Sequence, residues 1–333
     1  MRQEVKNQHY VPQFYLKKFS FGEKKKEKTY VFNKKNLDLK IKKVNKIACK
    51  DYFYDLEKEF FPDNTYKEED KQWLEEHYGK IENKTSKIFK NIEEKLKKFK
   101  IDHNQNMLYE LDGENKVTLS EKRQISKFLA IQYLRTSAIR DSFSILSKSI
   151  LEKTMEITSD SPELKKALRD NTVEINLSEN FKKIVHLTAI FDDLKSENTT
   201  KIFFGRIWFF EYNRTEKKYC TSDNPIGMIQ SRNLGPYGLG IGVADELTFP
   251  LTSDINLRMY LPSFFNQPSS SILDNCYFKN EFNTQKIEEY NLTQAHNCNI
   301  ELYSADSDFS RIKKECDLDT HSIKSSPQDR IDI

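Results

Sequence analysis

The sequence predicts an α+β fold, with an N-terminal β-hairpin, long central helices and a mainly antiparallel sheet toward the C-terminus. Alternating apolar residues near the start indicate paired strands, apolar residues at three- and four-residue steps indicate central helices, and aromatic and β-branched runs follow from residue 201. Helices grouped between strands argue against regular βαβ alternation. We expect one domain over residues 1–304, helical mainly over 67–198 and strand-rich over 201–262.

The first 50 residues predict a short helix and the hairpin. The HYVPQFYL run that starts at His9 predicts an extended entry and then a helix, because proline is tolerated in a first helical turn. His9 would then lie just before a helix N-terminus. Residues 29–32 and 37–44 flank an Asn/Lys turn and are predicted to pair as the hairpin.

Two long helices are predicted next. Apolar residues from about Lys67 to Lys98 follow the helical repeat, with Lys and Glu on the other face. A second helix begins at Thr118, where Glu121 completes a capping-box pattern. Near the end, 285–297 predicts a last helix, whereas the polar tail 305–333 has little to bury and is expected to be mobile.

Composition restricts the class of protein. The chain of 333 residues is 37% hydrophobic, and its 23 Phe and 16 Tyr supply apolar surface for a core. No apolar run is long enough to cross a bilayer, and the polar start lacks the apolar centre of a secretory peptide. Five widely spaced cysteines without a C-x-x-C pair favour a reducing compartment over a zinc site. We therefore expect a cytoplasmic protein without a membrane partner.

Charge is distributed unevenly along the chain. The net charge is +3, but residues 1–50 carry 15 Lys/Arg against 4 Asp/Glu, or +11, which leaves 39 against 47, or −8, for residues 51–333. A basic segment attracts phosphate backbones, so 1–50 predicts contact with nucleic acid. The alternative is a solvated lysine-rich face without a ligand.

A predicted inward face of the second long helix carries polar residues. At about 100° per residue, Gln132 and Thr136 fall within roughly 20° of the apolar Ile125, and Arg135 and Arg140 flank that line. Buried polar groups need a partner or a wet cavity. Either the two guanidinium groups bind phosphate or carboxylate in a pocket, or Arg135 pairs with a buried carboxylate and orients the packing.

A second polar cluster follows a predicted strand. Ser222, Asp223 and Asn224 precede a proline, which is typical of an Asx turn and also of acid/base groups or metal ligands at the end of a strand. Asp245 and Glu246, beyond the glycine-rich stretch 232–242, could join Asp223 around a divalent metal. Nucleotide cofactors are not expected, since the sequence lacks G-x-G-x-x-G and P-loop motifs.

These motifs resemble those of an uncharacterised bacterial domain family found also in some fungi. The residues that carry the resemblance, over roughly residues 7–300, are the HYVPQFYLxxF run from His9 to Phe19, the QxxRT run from Gln132 to Thr136, the TSDNP run from Thr221 to Pro225 and the FPL run from Phe249 to Leu251. The resemblance marks these positions for function: His9, Gln13, Arg135, Ser222, Asp223 and Asn224. The sporadic occurrence of such domains, like that of mobile or defence genes, implies a toxin-like or nuclease activity.

Two functional hypotheses follow. In the first, the protein is a phosphodiesterase acting on nucleic acid: neutral His9 moves a proton, Arg135 and Arg140 neutralise phosphate charge, and Asp223 orients His9 or holds a metal ion. Gln13, Gln132, Thr136, Ser222 and Asn224 would contribute binding groups. In the second, the protein is a non-enzymatic sensor or interaction protein, and the same residues determine packing.

Overall fold

The computed structural model describes residues 4–23, 26–56, 71–102, 107–229, 240–265 and 276–325, and the described chain has the predicted α+β fold. The helices are α1 Gln13–Leu16, α2 Trp73–Asp102, α3 Leu119–Leu134, α4 Ser137–Thr158, α5 Pro162–Arg169, α6 Glu179–Ser196, α7 Asn198–Phe204, α8 Thr284–Asn297 and α9 Ser310–Ser325. The strands are β1 Asn7–His9, β2 Lys28–Asn33, β3 Asp38–Lys43, β4 Cys49–Asp51, β5 Leu108–Glu110, β6 Ile207–Asn213, β7 Thr221–Ser222, β8 Gly227–Ile229, β9 Glu246–Thr252, β10 Ile255–Tyr260, β11 Cys276–Glu281 and β12 Glu301–Ser304.

The described strands form three sheets. The largest has the order β5-β11-β6-β10-β9-β8, and its pairs are antiparallel apart from the parallel pair β11 and β6. The predicted hairpin, β2 and β3, joins β12 and β7 in a four-stranded sheet, and β1 pairs with β4. The N-terminal hairpin and the TSDNP segment therefore belong to one sheet although they lie almost 200 residues apart in sequence.

Phe249 lies at the meeting point of this core. Its fully buried ring on β9 contacts three other rings, with centroids 4.8 Å from Tyr15, 6.4 Å from Phe89 and 6.2 Å from Phe128. The three partners belong to α1, α2 and α3. Next to it, the carbonyl of Pro250 accepts a hydrogen bond from the Tyr15 hydroxyl, 2.8 Å away. The FPL motif thus joins the largest sheet to the first three helices.

The second long helix is interrupted where one continuous helix was predicted. Its start is as expected: Thr118 caps α3, and Glu121 completes the capping box. However, α3 ends at Leu134, and the hydroxyl of Thr136 accepts a hydrogen bond from the backbone N–H of Ile139 to begin α4. Threonine favours such an N-cap because its oxygen satisfies an N–H that lacks a helical partner. Thr136 is therefore a cap.

The helix after this break, α4, buries few side chains. Among the described residues of α4, Ser137 and Ser144 are buried. Large apolar side chains on its outer face are exposed, namely Ile145, Leu146, Ile150 and Ile157. α5 and α6 pack against α4.

Two further expectations need correction or lie outside the described ranges. The mobile tail predicted from residue 305 instead continues into α9, where Phe309 and Ile312 are buried against a smaller apolar cluster. These two apolar residues, spaced three apart, help to dock an otherwise polar segment, together with the ion pairs Lys217–Asp308 and Arg311–Glu288. Residues 326–333 and most of the glycine-rich stretch 232–242 lie outside the described residues.

Within the described ranges, every helix is too short or too polar to cross a membrane.

Replacing Phe249 with alanine should lower the free energy of unfolding by about 3–5 kcal/mol, because it leaves a cavity among three aromatic partners. The measurement is urea denaturation followed by circular dichroism. Phe282→Ala is the matched control, since that ring is 45% exposed. An equal loss in both variants would contradict the central role of Phe249.

Candidate functional site

Tyr10 connects the motifs that lie far apart in sequence. Its backbone carbonyl accepts a hydrogen bond from the amide nitrogen of Gln132, 3.0 Å away. Burial and then the charge of the Asp223 carboxylate raise the pKa of Tyr10, and a hydrogen bond between its hydroxyl and Ser137 opposes that rise. The N-terminal motif, the QxxRT helix and the TSDNP turn therefore meet around one tyrosine.

Arg135 is buried, and its guanidinium group is paired. Its Nη1 donates to Oε1 of Glu82 at 2.7 Å, and its Nε and Nη2 donate to the side-chain oxygen of Gln132 at 3.2 and 2.8 Å. The guanidinium also lies 5.4 Å from the ring centroid of Tyr78. Burial disfavours the charge, but the Glu82 carboxylate holds the pKa of Arg135 above its usual range. All three kinds of guanidinium nitrogen are thus bonded within the fold.

Arg140 contacts a buried histidine and an aromatic ring. Its Nε donates to Nδ1 of His186 at 3.0 Å, its Nη2 donates to the carbonyl of Phe53 at 2.8 Å, and its guanidinium lies 3.5 Å from the Phe53 centroid. Nε2 of His186 is 2.7 Å from the carbonyl of Leu134, so Nε2 must carry the proton and Nδ1 must accept. Burial and the Arg140 charge lower the pKa of His186 to about 3. Burial also lowers the pKa of Arg140, to about 10.

Asp223 is bound to the backbone that leads into β12. Oδ1 accepts from the N–H of Asn299 at 2.8 Å, and Oδ2 accepts from the N–H groups of Ile300 and Glu301 at 2.8 and 3.1 Å. Burial raises the pKa of Asp223 to about 6, and these three donors oppose that rise. The carboxylate is thus ionised at neutral pH and occupied by backbone donors.

The residues beside Asp223 bind α8. The Ser222 hydroxyl donates to the Gln294 side-chain oxygen at 3.1 Å, and the Asn224 amide donates to the carbonyl of Asn297 at 2.8 Å. Oδ1 of Asn224 is buried without a hydrogen bond among the described residues. Hydrogen bonds from the TSDNP turn therefore connect β7 to α8 and to the start of β12.

His9 differs from its predicted setting. It is the last residue of β1, where it pairs with Cys49, and α1 begins only at Gln13. The pKa of His9 is lowered to about 4, first by burial and then by the charge of Arg135, so the imidazole is neutral without help from a helix N-terminus. Its Nε2 is buried and has no hydrogen-bond partner among the described residues. Gln13 is exposed, whereas Gln8, the middle residue of β1, is fully buried.

The proposed metal ligands are separated and engaged elsewhere. The carboxylate of Glu246 accepts from Nε and Nη2 of Arg258 at 2.7 and 3.2 Å, and Arg258 also donates to Glu211. Asp245 is buried next to Glu246 on the largest sheet, whereas Asp223 follows β7 on another sheet. Over the described ranges, no cluster of three or more His, Cys, Asp or Glu side chains could hold a metal ion.

Glu75 is an acidic group that sequence reasoning missed. It lies on α2, and burial, partly opposed by the charge of Arg135, raises its pKa to about 7. Burial raises the pKa of Tyr54; the charges of Arg135 and Arg140 oppose that rise, and the charge of Glu75 adds to it. The hydroxyl of Tyr78 is buried without a hydrogen bond among the described residues. A seven-residue spacing puts Glu75 and Glu82 on one face of α2, and this pattern was available in the sequence.

A basic groove between α2 and α3 was also missed. It has a volume of about 520 Å³, and the residues that line it are Lys84, Lys87, Ile88, Ser120, Arg123, Gln124 and Lys127. Four of them are cations. Arg123 and Lys127 share the carboxylate of Glu197, at 3.0 and 2.7 Å. Lys84 and Lys87 form no ion pair with any residue that the structure describes.

The fold and the buried motif cluster define an α+β protein whose N-terminal motif, central helix and proline turn are packed together. The chain belongs to the family described as Protein of unknown function (DUF4238), whose model matches residues 7–308. Neither a curated protein nor a solved structure gives a significant match to the chain.

His186 should make the fold sensitive to acid. Its pKa in the folded protein is about 3, below the ordinary value of 6.5. As pH falls below 6.5, the histidine of the unfolded chain is protonated while that of the folded protein stays neutral. Protonation therefore favours the unfolded chain, and the folded protein loses stability. Between pH 7 and pH 5 this one group should cost about 2 kcal/mol of the free energy of unfolding. We expect the pH dependence of urea denaturation to shrink by that amount in His186→Gln.

The control is His296→Gln, because His296 is an exposed histidine of α8. It should retain the full loss of stability between pH 7 and pH 5. A His186→Gln variant with an unchanged pH dependence would mean that the imidazole is protonated in the folded protein.

Proposed function

We propose that this protein is a non-enzymatic nucleic-acid-binding protein that uses the basic groove between α2 and α3. The observation that carries the proposal is the set of four cations lining that groove, two of them, Lys84 and Lys87, without an ion pair among the described residues. Phosphate backbones bind such surfaces because each contact releases condensed counterions. The hydroxyl of Ser120 and the amide of Gln124 add hydrogen-bonding groups.

The contacts of the motif residues support an interaction protein over an enzyme. A catalytic guanidinium needs free donors for the developing charge, and those of Arg135 are directed at Glu82 and Gln132. A catalytic or metal-binding carboxylate needs free oxygens, and those of Asp223 accept three backbone N–H groups. Both side chains hold distant segments of the fold together.

The N-terminal basic segment is a weaker candidate for the binding surface, since many of its lysines have acidic partners. The pairs are Lys6 with Asp51, Lys17 with Glu27, Lys18 with Glu93, Lys40 with Asp38 and Lys42 with Glu301. Such pairing reduces the local positive potential that a phosphate backbone would meet.

The double variant Lys84→Glu, Lys87→Glu should weaken binding of a fluorescein-labelled 20-nucleotide RNA or DNA by tenfold or more at about 0.1 M salt. The slope of log Kd against log salt should fall by about 2, one for each lost phosphate contact. Fluorescence anisotropy at four salt concentrations measures both quantities. Lys35→Glu, Lys43→Glu is the matched control, with two exposed hairpin lysines that, like Lys84 and Lys87, form no ion pair among the described residues.

Unchanged affinity in the groove variant, with a loss in the hairpin variant, would move the binding surface to residues 1–50. Absence of binding by the unaltered protein at low salt would refute the proposed function altogether. Thermal unfolding of both variants checks that the charge reversals leave the fold intact.

A hydrolytic function is the second candidate, and Glu75 is the observation that favours it. Its carboxylate makes no hydrogen bond among the described residues, and its pKa of about 7 suits a general base at neutral pH. Arg140 uses Nε and Nη2 for its hydrogen bonds to His186 and Phe53. Its Nη1 could then neutralise the charge of a bound phosphate. His9 would contribute a neutral imidazole whose Nε2 lacks a partner in the described chain.

If the protein cleaves nucleic acid, the rate should rise as pH increases through about 7, because the base must be ionised. Glu75→Gln should reduce the rate by at least 100-fold without loss of binding. Gel analysis of labelled RNA and DNA, with magnesium or with a chelator, gives the rates. Glu94→Gln is the control, an exposed glutamate on the same helix. Equal rates for the two variants, or no cleavage by the unaltered protein, would rule out this candidate.

A further inference from the structure

Three aromatic rings are stacked at the N-terminal end of α2. The ring of Trp73 lies 4.9 Å from that of His77 at an interplanar angle of 16°, and 5.6 Å from that of Phe191 on α6 at 28°. Trp73 is 41% exposed, whereas Trp208, in the largest sheet, is fully buried. The stack therefore presents an aromatic surface to solvent, and the indole that belongs to it is accessible.

The stack and the basic groove form one continuous surface along α2. Trp73, His77, Lys80, Lys84 and Lys87 are spaced by four, three, four and three residues, which keeps them within an arc of roughly 80° on the helix. That strip is about 21 Å long. Aromatic rings thus occupy one end of the strip and lysines the rest.

The charge of an α3 lysine acts on both parts of this surface. The pKa of His77 is lowered by burial and then by the charges of Lys127 and Lys80, so the ring lies in the electrostatic field of both ammonium groups. Lys127 also lines the groove. The ammonium group of Lys127 therefore lines the groove and also acts electrostatically on the stack.

The charge of the groove favours an anionic ligand. Lys84, Lys87, Arg123 and Lys127 contribute +4, and Glu197, shared by the last two, contributes −1, which leaves +3. Arg123 and Lys127 on α3 form ion pairs with the carboxylate of Glu197, whereas the two α2 lysines face solvent. Phosphates would meet Lys84 and Lys87 first.

We propose that this surface binds single-stranded nucleic acid, with unpaired bases stacking on the Trp73–His77 rings and phosphates following the lysines toward Lys87. This inference rests on the proposed function and names its substrate class. Base-paired duplexes hide the faces of their bases, so an aromatic stack gives affinity only to a strand whose bases are free. A strip of this length matches the site of several nucleotides that aromatic and basic grooves usually cover.

The test compares a 12-nucleotide poly-U or poly-dT strand with a hairpin duplex of equal phosphate number, using anisotropy and tryptophan fluorescence. The unaltered protein should bind the single strand about tenfold more tightly or better, and binding should quench the exposed Trp73. Trp73→Ala and His77→Ala should each weaken single-strand binding by about tenfold and change duplex binding less than twofold. Trp73→Phe should keep most of the affinity and lose the quenching.

Phe282→Ala serves as the control for removing an exposed ring, and both ligands should bind it normally. Equal binding of strand and duplex, with no effect of Trp73→Ala or His77→Ala but a loss in Lys84→Glu, Lys87→Glu, would overturn the single-strand inference and leave the proposed function standing. A ring variant that weakens strand and duplex equally would also overturn it. RNA and DNA strands tested side by side show which sugar the surface prefers.

Discussion

The architecture around the motifs depends on one buried guanidinium group. A charge removed from water is costly unless it is paired and its donors are bonded, and Arg135 meets that requirement with Glu82 from α2 and Gln132 from its own helix. Gln132 in turn binds the backbone of Tyr10 through its amide nitrogen. Three segments of chain must therefore be in place together for the charge to be tolerated, which makes Arg135 a determinant of how α2, α3 and the N-terminal strand are arranged.

A second buried hydrogen-bond network is built around a negative charge in the same way. The Asp223 carboxylate accepts three backbone N–H groups that lead into β12, and its neighbours Ser222 and Asn224 bind α8. Because the chain is only 37% hydrophobic, buried polar residues thus supply part of the contacts between segments that aliphatic side chains would otherwise supply. The residues of these motifs and the proposed binding surface are consequently different parts of the molecule: the motif residues organise the interior, and the groove faces solvent.

Features that depend on residues close together in sequence were predicted correctly. Contacts between residues far apart in sequence were not predicted. The hairpin and the capped start of α3 were predictable because each depends on residues a few positions apart. The break at Thr136 was missed because the apolar repeat runs on through it, while the threonine cap and the buried Arg135 decide the outcome. The partner of Arg135 lies 53 residues away and that of Arg140 lies 46 away, so no pattern within one helix could reveal either. The tail was predicted to be mobile from its polar majority, although Phe309 and Ile312 pack into an apolar cluster.

The sparse burial along α4 has a consequence for the energetics of the whole chain. Opening α4 would expose little apolar surface, whereas opening the sheets would expose the rings around Phe249. Local free energies of opening follow such differences. The segment from Ser137 to Thr158 should therefore fluctuate as a separate cooperative unit, exchanging its amide hydrogens with water while the sheets stay closed.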